Sequence, residues 1–434
     1  MSVQTLARLI RGLLAGAAVA AVTAAAGGAQ AQDADPHVAA PSLRLSGFGS
    51  VGLSHVDAPA GWGYRREVTQ GGSDERWRHD VDTRLGVQLN YSLGSRFELV
   101  AQAIARKRGA YAGDGDALEW AYAAYRPNAD WTLRVGRVNL DAFLMADYRN
   151  VGYGFMAARP PVELYATLPT TLDGGDIARS WFQGDAQWRA KLMVGTAQIG
   201  DFHTAEPGRV RDVVGLMLSR EEGGLLLRAS GARTRIELDL SSTQAAIDAL
   251  GQLRSLPIPA VAEQAQALRD RLGVSAIWAT FLELGLRYER ADWQWSAEVV
   301  RISAAPLVKQ SSAYATVGHR LGDWTPYIGY GHTRDAMPVT PMPAWQAVLT
   351  PVLGPAGAVQ SQMLGTLITD AVNRSRVHQS GWSVGARWDF HPQAALKLQW
   401  DRIHVHAGGP GLWTNAEGSA GRANVATAVV DFIF

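Results

Sequence analysis

Val425-Ala426-Thr427-Ala428-Val429-Val430-Asp431-Phe432-Ile433-Phe434 is the stretch from which the fold is read. Its period is two. Phe434, Phe432, Val430, Ala428 and Ala426 fall on one face of an extended chain, and Ile433, Asp431, Val429, Thr427 and Val425 on the other, because successive side chains of a strand point to opposite sides. Nothing follows Phe434, so the reading expects the chain to finish in a strand with aromatics at its last and third-last positions.

The same alternation recurs far upstream. Leu85, Val87, Leu89 and Tyr91 oppose Arg84, Gln88 and Asn90; Leu282, Leu284, Leu286 and Tyr288 oppose Glu283, Arg287 and Glu289. Trp382, Val384, Ala386, Trp388 and Phe390 oppose Ser383, Arg387 and Asp389, and Leu396, Leu398 and Trp400 oppose Lys397, Gln399 and Asp401. A soluble sandwich also alternates. Here, however, the polar face carries full charges in strand after strand, and Trp and Tyr sit near the ends of the apolar face, as an interfacial girdle requires. The terminal strand resembles the C-terminal signature of bacterial outer-membrane β-barrels, and that resemblance implies the barrel-assembly machinery as a partner through the strand ending at Phe434.

The other end of the chain agrees. Arg8 and Arg11 precede an apolar run, Leu13 to Ala26, and Ala29-Gln30-Ala31 is an A-x-A cleavage site. Residues 1–31 are therefore expected to be an export signal and 32–434 the mature protein. The 434 residues include no cysteine, 46 glycines and 15 tryptophans, and no later segment offers the roughly 20 apolar residues of a spanning helix. The formal net charge of +1 falls to −1 when Arg8 and Arg11 leave (+1 − 2), so no nucleic-acid partner is indicated.

Short turns and long connections alternate. Leu93-Gly94-Ser95, Pro127-Asn128-Ala129-Asp130, Gly184-Asp185, Glu221-Glu222-Gly223, Arg290-Ala291-Asp292, Gly322-Asp323 and His391-Pro392-Gln393 are the short ones. Longer segments lie at about 57–78, 108–116, 139–175, 200–208, 235–276, 305–310, 335–378 and 407–423. The layout predicts an all-β fold, a transmembrane antiparallel β-barrel of about 16 strands, with short periplasmic turns and long outer loops. The segment 176–184 leaves 14 or 18 strands open.

A barrel this wide is not filled by its own wall and holds water. Arg84, Arg134, Arg189, Lys191, Arg228, Arg287, Arg387 and Lys397 are the lumen-lining candidates, facing Asp82, Glu98, Glu119, Glu283, Glu298, Asp389, Asp401 and Asp431. The third long connection carries Asp147-Tyr148-Arg149-Asn150-Val151-Gly152-Tyr153 and Arg159-Pro160-Pro161-Val162-Glu163, after Arg134-Val135-Gly136-Arg137. Through these motifs the chain resembles the proteobacterial porin-like outer-membrane proteins. The resemblance implies a 16-stranded general porin whose third loop folds inward, with Asp147, Arg149, Arg159 and Glu163 as pore-constriction candidates. The alternative is that Arg149 and Arg159 anchor the loop to wall carboxylates. Trimers are common among such porins, so the resemblance also implies a homotrimer, embedded in outer-membrane lipid and lipopolysaccharide.

Two outer loops, about 241–273 and 341–373, read as helices. Ala245, Ile247, Leu250 and Leu253 precede a break at Pro257 and Pro259, and Val261, Ala265, Leu268 and Leu272 follow it. Trp345, Val348 and Leu349 precede Gly354-Pro355, and Met363, Leu364, Leu367 and Ile368 follow. Mutual packing is the simplest account of their apolar faces; a lid or a partner-binding surface is the alternative.

Gly47-Phe48-Gly49-Ser50-Val51-Gly52 matches a dinucleotide motif in spelling only, since it lies inside a strand. His404 and His406 lack a third metal ligand and read as interfacial residues. No cofactor, metal or catalytic residue is expected. Function follows as a water-filled channel for passive diffusion of small hydrophilic solutes and ions. Arginine far outnumbers the four lysines, Lys107, Lys191, Lys309 and Lys397, which is a weak lean towards anions. A surface adhesion or receptor protein working through the helical loops is the alternative, and a barrel enzyme using His319, His332 or His378 a more distant one.

Overall fold

The computed structural model describes residues 41–434, apart from 69, 109–116, 200–207, 375 and 417–419. The expected export signal lies outside the described residues, as do most of the connections at 108–116 and 200–208.

Among the described residues sixteen long strands form one closed antiparallel barrel: Ser42–Asp57, Arg84–Leu93, Phe97–Arg106, Leu118–Tyr125, Trp131–Asn139, Thr171–Gln183, Ala186–Ile199, Gly208–Glu222, Leu225–Glu237, Ala276–Arg290, Trp293–Ala304, Val308–His319, Trp324–Asp335, Val377–His391, Ala394–Pro410 and Gly421–Ile433. A two-residue piece, Trp77–Arg78, adds to the outer end of the first strand. Closure is made by the strand that opened the sequence reading: Phe48 lies opposite Ile433 and Val51 opposite Val430. On its other side the first strand pairs with Arg84–Leu93, so no edge is left for lipid to meet. Thr171–Gln183 is one continuous strand, which resolves the open count at sixteen.

Closure uses glycine at close quarters. The Phe432 ring lies over Gly49 and the Phe434 ring over Gly47, where a Cβ would come within 2.3 and 2.2 Å of them. Aromatics laid on a bare backbone cover glycine that would otherwise expose the ladder.

The two faces separate as the alternation requires. Leu282, Leu284, Val299, Val384 and Leu398 are exposed on the outside, as a lipid-facing band must be. Trp324 and Trp388 stack at 5.4 Å at the periplasmic end, and Tyr330 and Trp382 meet at 4.8 Å nearer the outer end. No helix among the described residues is long and apolar enough to cross a membrane.

Among the described residues helices occur only in connections. Gln244–Arg254 and Pro259–Leu272 flank the proline break, with Pro259 in the first turn, where its missing N–H costs nothing. Gln346–Arg374 breaks at Gly354, whose φ of 72° suits glycine. Leu250, Leu253, Val261, Ala265 and Leu268 pack with Trp345, Leu349, Ala358 and Ile368, so the two helical loops share one core.

Candidate functional site: the inward loop and the lumen

Between Asn139 and Thr171 the chain turns into the barrel. Part of the reason is local and apolar. Phe281, Val300 and Tyr314 face the lumen from three successive strands, and Ala142, Phe143, Met145, Leu164 and Tyr165 of the loop cover them. A water-filled lumen would leave that wall exposed; the loop removes it from water.

Polar groups then fix the loop from every side. At its entry Asp141 pairs with Lys191 and, at 2.7 Å, with Arg228, which also donates to the Asp141 carbonyl. Burial pushes the Asp141 carboxyl up, but these two cations outweigh it and hold it below its ordinary value. Glu298 accepts bonds from the Leu144 N–H (2.6 Å) and the Tyr165 hydroxyl (2.5 Å). Asn150 donates to Glu119 at 3.1 Å, and Arg106 to Glu67 at 3.0 Å. Burial raises Glu67, yet Arg106, Arg66 and Arg149 more than reverse it.

Arg159 makes the densest set of contacts. Its guanidinium reaches Asp82 at 2.7 Å and Asp401 at 2.9 Å, and donates to Tyr64 Oη at 3.0 Å and Thr427 Oγ1 at 2.5 Å. Asp82 is only 1% exposed; burial raises its carboxyl, but Arg159, helped by Arg66 and Lys397, holds it below the usual range. On the adjoining wall Lys397 donates to the Gly152 carbonyl (2.5 Å) and the Ala157 carbonyl (3.0 Å) while pairing with Asp431 at 3.0 Å. Only glycine fits at 152, since a Cβ there would sit 1.9 Å from Asp431 Oδ1.

The residues expected at the constriction are therefore placed unequally. Arg149 is buried, donating to the Tyr165 carbonyl at 2.7 Å with Glu67 at 3.8 Å, and Arg159 is buried between wall carboxylates. Glu163 is buried and accepts from Gln379 at 2.9 Å; burial raises its carboxyl, and the Gln379 bond only partly opposes this. Asp147 is the exposed one of the four, accepting from the Asn139 amide.

Among the lumen-lining candidates, Arg84 lies beside Asp82 at 4.0 Å and Arg134 pairs with Asp176. Lys191 and Arg228 meet at Asp141. Arg387 binds Asp389 and the Tyr153 carbonyl, and Lys397 is fully buried. Arg287, 30% exposed, reaches Tyr148 Oη at 3.4 Å, and Arg189, on the face shared by Lys191, is exposed. Two cavities adjoin the loop. One of about 200 Å³ lies between Tyr148, Met156 and Pro160 and the wall groups Arg287, Arg320 and Asp389. The other, about 40 Å³, lies beside Arg159, Glu163 and Asp401.

Asp141, Glu67, Arg106 and Gln379 were not singled out from sequence. Asp141 left a signal: it is the lone charge in Val138–Ala146, and an acid isolated in an apolar run asks for a buried partner.

The profile of the Gram-negative porin family matches residues 17–431. The chain belongs to that family. It is thus a porin of the outer membrane, a channel for passive diffusion. No curated protein sequence matches it. Solved porins share its fold at low identity. OmpF of Salmonella typhi, in complex with daunomycin, has a TM-score of 0.51 and 11% identity over 90% of this chain and 97% of that one. The outer-membrane channel DcaP of Acinetobacter baumannii has 0.51 and 11% over 91% and 97%. An anion-selective porin from Comamonas acidovorans has 0.50 and 11% over 91% and 100%.

Proposed function

We propose that small hydrophilic solutes and ions pass between the inward loop and the wall, in a hydrated path lined by Asp147, Arg189, Arg287, Glu289, Arg387 and Asp389. The observation that carries this reading is the difference between buried and open charge. Arg149, Arg159, Glu163, Lys191 and Lys397 are buried in contacts that hold the loop, whereas Asp147, Arg189 and Glu289 stay exposed. The first set shapes the aperture; the second meets the solute. Exposed groups of both signs imply weak selectivity, with the arginines favouring anions slightly because the planar guanidinium suits carboxylate and phosphate. No covalent step, cofactor or metal enters.

Planar-bilayer recording of the refolded mature chain tests this. Stable single-channel steps are expected, with a small reversal potential of anion-selective sign under a salt gradient. Arg189→Glu should move that potential towards cations; no change would remove Arg189 from the path. A folded barrel that gives no steps would overturn the reading.

Three further points belong to the same proposal. Residues 1–31 are removed on export, so mass spectrometry of the native protein should show Gln32 as its first residue. The strand ending at Phe434 is read by the assembly machinery, and Phe434→Ala should lower the folded yield in cells. The porin assembles as a homotrimer in lipopolysaccharide-rich lipid, and native mass spectrometry of unheated protein should give three times the chain mass.

A further inference from the structure

On the short-turn side of the inward loop one cation is left without a carboxylate. Arg320 follows the strand Val308–His319, and its backbone N–H donates to the Asp292 carbonyl at 2.7 Å. Parity carries its side chain inward with Tyr314 and Thr316, whereas His319 points outward and meets Trp293 edge-on at 4.5 Å. Arg320 is exposed, and no carboxylate among the described residues lies within ion-pair distance of it.

The cavity of about 200 Å³ between loop and wall gives this cation a setting. Its wall spans five successive strands, from Ala276–Arg290 to Val377–His391. Arg287 and Glu289 stand at one end, Arg387 and Asp389 at the other, and Arg320 between them. The end groups pair on their own strands, Arg387 with Asp389 at 2.7 Å and Arg287 with Glu289 at 3.8 Å. Arg159 also reaches the cavity, but Asp82 and Asp401 already hold its guanidinium. Three arginines against two acids leave one positive charge, and Arg320 carries it. The opposite side is apolar: Tyr148, Phe155, Met156 and Pro160 of the loop close it. Met156 lies over Gly318, where a Cβ would come within 2.6 Å of its sulfur. The space is below the roughly 300–1,000 Å³ of sites for drug-sized ligands, so its occupant is compact.

We propose that this cavity is a saturable site for a small monocarboxylate with an apolar body, the carboxylate on Arg320 and Arg287 and the body against Met156, Tyr148 and Pro160. The proposal rests on the hydrated path proposed above and names a solute class for it. Arg287 is available because its own contacts are long, 3.4 Å to Tyr148 Oη and 3.8 Å to Glu289. Its strand lies two steps, about 10 Å, from that of Arg320, a gap that two arginine side chains close on a shared anion. One unpaired cation suits one negative charge. A second carboxylate on the solute would meet Glu289 or Asp389. The apolar body covers loop surface that otherwise faces water. A site on a conduction path must also release what it takes, so binding is weak.

The test is block of the chloride current through the refolded mature porin in a planar bilayer by benzoate, with acetate, succinate and phenylalanine as comparators, at pH 7.5. Benzoate should reduce the current saturably, with its half-effect on the order of 1 mM. Acetate has the charge without the body and should need about tenfold more. Succinate should act no better than acetate. Arg320→Gln should weaken benzoate about tenfold, and Met156→Ala should narrow the gap between benzoate and acetate. Stable steps in potassium chloride show that each variant is folded and open. Acetate or succinate acting as strongly as benzoate overturns the proposal, because the apolar side then contributes nothing. Phenylalanine acting more strongly than benzoate would assign the cavity to a zwitterion and overturn the monocarboxylate. Benzoate block that survives Arg320→Gln refutes this site. If the variants give no steps, the order of the four solutes on the unaltered porin still decides. Steps without benzoate block refute the site and leave the channel standing, whereas a folded barrel without steps overturns the channel itself.

Discussion

The inward loop and the outer helical cap are both insertions between strands, and they are held by opposite physics. Loop 140–170 is pinned by buried charge: Asp141 to Lys191 and Arg228, Arg159 to Asp82 and Asp401, and the Gly152 carbonyl to Lys397. The cap, Gln244–Arg254 with Pro259–Leu272 and Gln346–Arg374, is held by Leu250, Val261, Leu268, Trp345 and Leu349. Apolar packing is non-directional and tolerates repacking. Buried ion pairs demand one geometry, because a cation removed leaves its partner uncompensated. The second kind of restraint fixes a segment at one place inside the lumen, and the first is enough to hold two helical loops against each other.

The largest expected effect attacks the charged restraint. Arg159→Ala leaves Asp401 buried without its cation and Asp82 with only the longer contacts to Arg66 and Arg84, at a cost of about 3–5 kcal/mol. The heat-modifiable transition should fall by several degrees, and single-channel currents should become larger and noisier as the loop loosens. An unchanged transition and quiet currents would mean that Arg159 anchors nothing. Trp345→Ala attacks the apolar restraint on a similar local scale, about 3–5 kcal/mol for a buried tryptophan, but in a different place. Proteolysis should open 244–272 and 346–374, while conductance and the barrel's transition stay as they were. Altered conductance in that variant would erase the distinction between the two regions.

The same contrast explains what the sequence made legible. Strand positions, the lipid face and the cap helices all follow from local periodicity, period two or 3.6, so each could be read within about ten to fifteen residues. Leu282, Leu284 and Leu286 faced outward by the pattern alone, and Leu250 with Leu253 marked a buried helical stripe. The inward turn at 139 came from resemblance rather than from periodicity. What could not be read was who pairs with whom. Arg159 finds Asp82 77 positions away and Asp401 242 away; Lys397 and Asp431 share a site because two neighbouring strands bring them together. Parity said that these groups face inward, and nothing in one strand says which will meet the loop and which will meet water. Arg189 and Lys191 make the point: same strand, same face, one exposed and one buried on Asp141.

Acidification sharpens the comparison with a smaller effect. Asp82 and Glu67 have carboxyls held below their ordinary values, so the stability they contribute is fully present above about 4 and lost as pH falls through the lower folded values. Asp80, between Arg78 and Lys107 and held at about 2, behaves alike on the exposed side. Current noise should therefore stay level from pH 7 to 5 and rise below about 4, whereas cap proteolysis should not change over that range. Noise that starts to climb near pH 6 would assign the loop's restraint to other groups.

Glu163 runs the other way and gives the smallest effect. Its carboxyl is raised by burial, so its favourable contribution is complete below the ordinary value and fades as pH rises through the raised one. Once deprotonated it is a buried charge whose side-chain hydrogen-bond partner among the described residues is Gln379, with the backbones of Gly331 and Gly381 packed against it. Glu163→Gln keeps the shape and the amide partner while removing the charge. A gain of up to about 1 kcal/mol in unfolding free energy at pH 7.5 is expected, vanishing at pH 4, where the native side chain is itself neutral. A loss at pH 7.5 that disappears at pH 4 would show that the charge at 163 is needed, and that this part of the loop is held by the same logic as Arg159 after all.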